Sequence, residues 1–363
     1  MSRRKGSAPS AFGIATSRRR FLTRTALGAA ALTFPSPFVN RGMAAQTIVV
    51  RDPGGPFVKA YAEAFYQPFT KETGIEITQV TAPNDPVGLV KAQVDAKSYT
   101  WDAFILSLGD ASSLGTKYLE ELNLTGPDVS EVLPQAKTSV FLGTDTYSTI
   151  LAYRTDTIKG SGPESWADFW DVSKFKVRRS LRKFPVDTME EAVLATGVDP
   201  KKLYPFEFDT AFKSLDKIKP SVNVWWTGGA QSSQLLKTGE VDMVATWNGR
   251  AQAAIDDGAP ARIVWNGGLY AFEGFCIGKG NPKADIARKF IAYCANAKRQ
   301  AAYTAYLSYG PTNPNAYNFI AAEKAKSLPT APDNIKGMTY QDNLYWGKNL
   351  DAALDKFNQW ILG

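Results

Sequence analysis

The 363-residue chain contains no histidine. It therefore lacks the commonest general base at neutral pH and the commonest nitrogen ligand for metals. Cysteine is almost as scarce, with only Cys276 and Cys294. Two thiols exclude a thiolate-rich metal site. They leave open either a disulfide in an oxidising compartment or two buried free thiols, since both sit at apolar positions. The chain also has no nucleophile-elbow pattern and neither the dinucleotide nor the phosphate-loop glycine pattern. These absences predict a protein that is not an enzyme and carries no metal and no cofactor.

Acidic residues are missing from the first 45 positions, which hold eight Lys and Arg. Ser17-Arg18-Arg19-Arg20-Phe21-Leu22 precedes a weakly apolar run and the small residues Gly42-Met43-Ala44-Ala45. The order is that of an export signal, and the arginine pair before Phe-Leu resembles the twin-arginine type. Pro35 and Pro37 make the apolar run too short and broken to span a bilayer. Residues 1–45 are expected to be removed, giving a periplasmic chain of 318 residues. That chain holds 34 basic and 35 acidic groups, so the high isoelectric point belongs to the signal. Charge gives no reason to expect a nucleic-acid partner.

What remains is rich in aromatics and alternates strands with helices. Thr47 to Val50 reads as a buried strand, Gly54-Gly55 as a turn, Phe57 to Lys71 as one helix and Ile75 to Thr81 as a second strand. Glycines between strand and helix let a ligand approach backbone N–H groups. Further strands are expected at Asp102 to Leu108, Tyr147 to Tyr153 and Phe175 to Leu181. Helices are expected at Pro86 to Lys97, Asp209 to Ile218 and Asp285 to Ala297, with Asp187 capping one from Thr188. The last stretch, Asp333 to Leu362, reads as helical throughout. Two chain crossings, near Ala152 and Ala271, divide the chain into lobe 1 (46–152 plus 271–363) and lobe 2 (153–270). This is the layout of a hinge-closing binder.

The segment from Val222 to Glu273 carries the chemistry. A strand ends at Trp225-Trp226, a helix ends near Gly239, and a second strand ends at Trp247. Arg250 opens the next helix, and Glu273 is a lone carboxylate inside the apolar strand Leu269 to Ile277. Strand ends and the loops after them form the ligand crevice of an α/β sheet. A carboxylate in such a strand needs a partner. Either Glu273 pairs with Arg250 or a lysine, or the two hold opposite ends of a small charged molecule between tryptophans.

The segments TKETGIEI, ESWADFWD, YSTILAYRTD, KIKPSVNVWWTGGAQSSQLL, TWNGRAQAAIDDGAP and YGPTNPNA occur in order. Together they resemble polyamine-type solute-binding proteins, the periplasmic receptors of ABC importers. The resemblance runs from Thr47 to about Phe319. It implies an α/β, type II periplasmic-binding-protein clamp with ligand in the interlobe cleft. It also implies a monomer whose partners are a small molecule and a membrane ABC permease. By position it implies ligand contacts from Gly54, Gly55, Ser107, Tyr147, Thr188, Trp226, Trp247, Arg250, Glu273 and Tyr309. Where polyamine receptors carry an acid three residues after the site tryptophan, this chain has Arg250. Their acid in the loop after the first strand is also missing. An Arg–Glu pair suits a zwitterion such as 4-aminobutyrate better than a diamine. A betaine-like cation on tryptophan, a polyamine, a ferric ion on Tyr147 and Tyr309, or a secreted hydrolytic enzyme with Glu190 and Glu191 and with Glu273 as general acid or base in the cleft are the competing readings.

Overall fold

The computed structural model describes residues 46–82 and 86–363. The expected signal lies outside the described residues. Ten strands form one mixed sheet: β1 (Thr47–Asp52), β2 (Glu76–Thr81), β3 (Ala103–Ser107), β4 (Leu142–Arg154), β5 (Arg179–Arg182), β6 (Val222–Trp226), β7 (Met243–Trp247), β8 (Ala261–Cys276), β9 (Gly310–Pro311) and β10 (Thr339–Tyr340). The main order is β2-β1-β3-β8-β4-β7-β5-β6, with β10 beside β8 and β9 beside β4.

Two strands tie the molecule together. β4 and β8 pair antiparallel along most of their lengths. The Leu142 end of β4 and the Phe272–Cys276 end of β8 lie in one apolar core, with Phe57, Tyr61, Phe65 and Phe290. Leu151 and Tyr153 of β4 and Leu269 of β8 lie in a second core, with Phe169, Leu181, Leu215 and Met243. Leu235, Val244 and Trp226 extend the second side as a further cluster. A sheet buried on both faces by helices reads as near-continuous apolar runs, which is how β3 and β7 read. The helix Asn343–Leu362 buries Trp346, Ala353 and Phe357 in the second core.

Several elements differ from the sequence-based expectation, each for a physical reason. Phe57 to Lys71 is not one regular helix. It is Pro56–Tyr61, a π-turn at Ala62–Tyr66, then Gln67–Thr73. Pro68 cannot donate to the fourth residue back, and the widened turn accommodates its ring. The strand expected over Phe175 to Leu181 is confined to Arg179–Arg182. The Arg179 guanidinium donates to the carbonyls of Phe169, Val177, Asp171 and Phe175 and holds that segment as a loop. Asp187 stands immediately before the regular helix that starts at Thr188, as expected, with non-helical φ 74 and ψ −60, but its carboxylate accepts from Arg182, Thr149 and Gln341 instead of capping the helix N–H groups. β8 begins eight residues before the expected start, because Asn266-Gly267-Gly268 forms a bulge within the strand rather than ending it. The C-terminal stretch is a short helix (Pro332–Ile335), β10 and the long helix capped by Asp342. The helix Gly229–Thr238 does end where expected, at Gly239 in the left-handed region. Cys276 and Cys294 are both buried free thiols.

Candidate functional site

Sheet register assembles the site. β8 lies between β3 and β4, and Glu273 stands opposite Ser107 on one side and Asp145 on the other. Directly opposed residues of antiparallel strands share a face. Glu273 is thus one of two carboxyls in a row. Asp145 is fully buried and accepts from the Tyr61 hydroxyl at 2.8 Å. Burial raises its carboxyl to about 7. Burial, and then Asp145, push Glu273 well above the ordinary carboxylate range, while Arg250 and Arg51 pull it back. Its Oε2 is buried without a hydrogen-bond partner.

Arg250 sits in the first turn of the helix Asn248–Asp256, which follows β7 directly. Its Nε is also buried without a partner. Gly229 lets it lie where it does: a Cβ there would meet Arg250 Nε and Trp247 Cζ3, each at 2.8 Å. Arg250 and Glu273 feel one another electrostatically, yet Arg250 Nε and Glu273 Oε2 are both left without a hydrogen-bond partner. The simple pairing that the sequence left open is not formed.

Aromatic rings surround these charges. Tyr309 is buried, 6.0 Å from Tyr147 and 5.8 Å from Phe57 between ring centroids. It packs on Gly249, where a Cβ would meet its ring at 2.6 Å. Burial raises the Tyr309 hydroxyl, and Glu273 raises it further. The Tyr147 hydroxyl is raised by burial, then by Asp187 and Glu273, so it stands near both acids. Trp247 is half-buried and its indole Nε1 has no partner. Trp226 lies behind it, fully buried and edge-to-face at 5.4 Å, with Nε1 donating to Ala245 O. Trp225 points to the other face of the sheet, against Phe357 and Trp360. Strand alternation thus separates the two adjacent tryptophans.

The remaining expected residues are placed around this cluster. Ser107 caps the helix Leu108–Tyr118, accepting from Asp110 N, and its hydroxyl donates to Asp110 Oδ2. Gly54 and Gly55 follow β1 with φ 80 and 60 and lead to Phe57, which packs on Tyr309. Thr188 is fully buried and donates its hydroxyl to Arg182 O at 2.8 Å. Asp145, Arg182 and Asp187 lie in or beside this cluster and were not expected there. Asp145 and Arg182 are brought in by strand order, which no local pattern displays, and Asp187 follows through its ion pair with Arg182. Two surface cavities, of about 650 and 410 Å³, share no residue with the cluster. The cluster is the stronger candidate because buried polar atoms without partners converge there.

A two-core α/β molecule with long shared strands and a charged aromatic cluster beside them is a ligand-binding clamp. The chain belongs to the bacterial extracellular solute-binding protein family, whose model matches residues 64–333. It is 32% identical to the gamma-aminobutyric acid-binding protein of Pseudomonas aeruginosa over 87% of this chain and 91% of that one. It is 24% identical to spermidine/putrescine-binding periplasmic protein 1 of Haemophilus influenzae, over 80% and 82%. A solved structure described as the Atu4243 GABA receptor superposes with a TM-score of 0.81 and 33% identity, over 87% and 98%. The protein is the substrate-binding component of an ABC transporter and not an enzyme.

Proposed function

We propose that this receptor captures a small zwitterionic ω-amino acid such as 4-aminobutyrate. Arg250 takes the carboxylate, Glu273 takes the ammonium, and Trp247 flanks the carbon chain with Trp226 behind it. One observation carries this reading. A guanidinium and a carboxylate of opposite sign share a cluster, each with a buried, unpartnered polar atom, and they do not satisfy one another. Burying either charge unpaired is costly, and a ligand with complementary ends removes both penalties. The names of the Pseudomonas relative and of the Atu4243 structure point to the same ligand. A diamine would set one ammonium against Arg250, a like charge in a desolvated site.

The same reading includes a monomer, exported to the periplasm by residues 1–45, that hands its ligand to a membrane permease. Closure of 46–152 and 271–363 against 153–270 would bring Ser107, Tyr147, Tyr309 and the Gly54-Gly55 turn toward the ligand. Calorimetry with 4-aminobutyrate, a betaine and putrescine is the test. The wild type should bind 4-aminobutyrate. Arg250→Ala should weaken that binding about ten- to a hundred-fold, since a charged hydrogen bond contributes roughly 1.5–3 kcal/mol. Tight putrescine binding by the wild type, with no response to any zwitterion, would sink the proposal.

A further inference from the structure

Arg182 has no part in the site proposed above, although it lies beside it. β5 runs between β6 and β7, and its last residue, Arg182, pairs with Trp226, the last residue of β6. The Arg182 guanidinium carbon is 4.5 Å from the Phe184 ring, 5.0 Å from the Trp247 ring and 5.8 Å from the Trp226 ring. Its Nη1 donates to Asp187 Oδ2 at 2.7 Å. Aromatic faces around a cation, with one carboxylate at hand, are the means by which proteins hold organic ammonium and guanidinium groups. Here the cation in the box belongs to the chain itself.

The box is held in place by its surroundings. Asp187 is 1% exposed, so its charge needs a compensating cation. Its other oxygen, Oδ1, accepts from Thr149 Oγ1 at 2.9 Å and from Gln341 Nε2 at 3.0 Å. The residue meets these three donors from a strained backbone conformation, φ 74 and ψ −60, that of a tight γ-type turn. Thr149 is also the cross-strand partner of Trp247. The box and the Arg250–Glu273 site therefore share the Trp247 ring.

We infer that Arg182 determines specificity: it is a built-in cation that fills an amine-binding box next to the ligand site and denies that box to the second cationic end of a diamine. The inference rests on the ligand position proposed above. Arg182 does not serve as a second anion donor, because its charge is already matched by Asp187.

Isothermal titration of methylguanidinium and putrescine into wild type, Arg182→Ala, Arg182→Lys and the double variant Arg182→Ala/Asp187→Asn tests this. Melting curves report the fold of each. Arg182→Ala should bind both probes at least about ten-fold more tightly than the wild type. Arg182→Lys keeps a cation in the box and should stay at the wild-type level. The double variant should lose the gain. If Arg182→Ala does not fold, Arg182→Gln preserves length without charge and should show the same direction of change. Probe affinities that are unchanged in the neutral variants overturn the inference. So does a gain that survives Asp187→Asn, or wild-type binding of glutamate, a dicarboxylate, that depends on Arg182. Titration of 4-aminobutyrate into the wild type is a separate arm. Its failure would overturn the ω-amino-acid reading, while the methylguanidinium comparison would still decide the role of Arg182.

Discussion

Asp145 and Glu273 are direct cross-strand partners on β4 and β8, two carboxyls side by side in one buried row. Burial raises both carboxyls, and the Asp145 charge makes ionisation of Glu273 harder still. A ligand ammonium requires Glu273 as carboxylate, so binding should release a proton. Affinity for 4-aminobutyrate should rise with pH above the ordinary carboxylate range, and heats measured in two buffers of different ionisation enthalpy should differ. Asp145→Asn removes the like charge and should move that rise to lower pH. Equal affinity as pH rises, with no buffer dependence, would show that Glu273 is already ionised before ligand arrives.

The unliganded fold should itself prefer mildly acidic solution. Glu190 is fully buried, accepts from Tyr204, Gln341 and Trp346, and is raised to about 7. A carboxyl raised in the folded state binds its proton more tightly there than in the unfolded chain. Its contribution is complete below its unfolded value and is lost as pH rises through about 7. Asp145, Glu191 and Glu273 act in the same direction. The melting temperature should fall between about pH 5 and pH 8. Glu190→Gln should flatten part of that slope, by at most about 3 kcal/mol. A variant with the same slope as the wild type would remove Glu190 from the account.

Gly229→Ala offers a test of the site that leaves both charges in place. The new Cβ would fall 2.8 Å from Arg250 Nε and 2.8 Å from Trp247 Cζ3. Both are side-chain atoms and not backbone, so the clash falls on the Arg250 guanidinium and the Trp247 ring. Gly229 has an ordinary backbone conformation, so alanine brings no backbone strain. Ligand affinity should drop about ten-fold with little change in melting temperature. Unchanged affinity would place the ligand away from this edge of the sheet.

Export is tested in cells. Replacing Arg18 and Arg19 with lysine should reduce the periplasmic yield of the protein severalfold and leave precursor in the cytoplasm. Unchanged yield would exclude the twin-arginine route.

Much of the fold was legible because its elements are marked locally. β6 falls exactly on the aromatic run VNVWW, and the following helix stops at Gly239. Arg250 and Glu273 were legible for a similar reason, as charges interrupting otherwise apolar or turn segments. The sequence did not reveal the partners that strand order supplies. Asp145 lies 128 residues before Glu273, and Arg182 meets Trp226 and Trp247 only because β5 is inserted between their strands. Nor did it reveal that Arg179 satisfies four carbonyls at once and so replaces a strand with a loop.

The long antiparallel pair of β4 and β8 has a mechanical meaning. It joins the two cores by a hydrogen-bonded ribbon instead of a pair of slack loops, with register shifts between Gly143 and Asp145 and between Thr149 and Leu151. The C-terminal helix, anchored by Trp346 and Phe357, adds a further brace on the second side. The β4–β8 ribbon, with its two irregular points, is the continuous hydrogen-bonded link between the two cores. Asp145, Tyr147 and Thr149 lie together on the regular stretch between those two points.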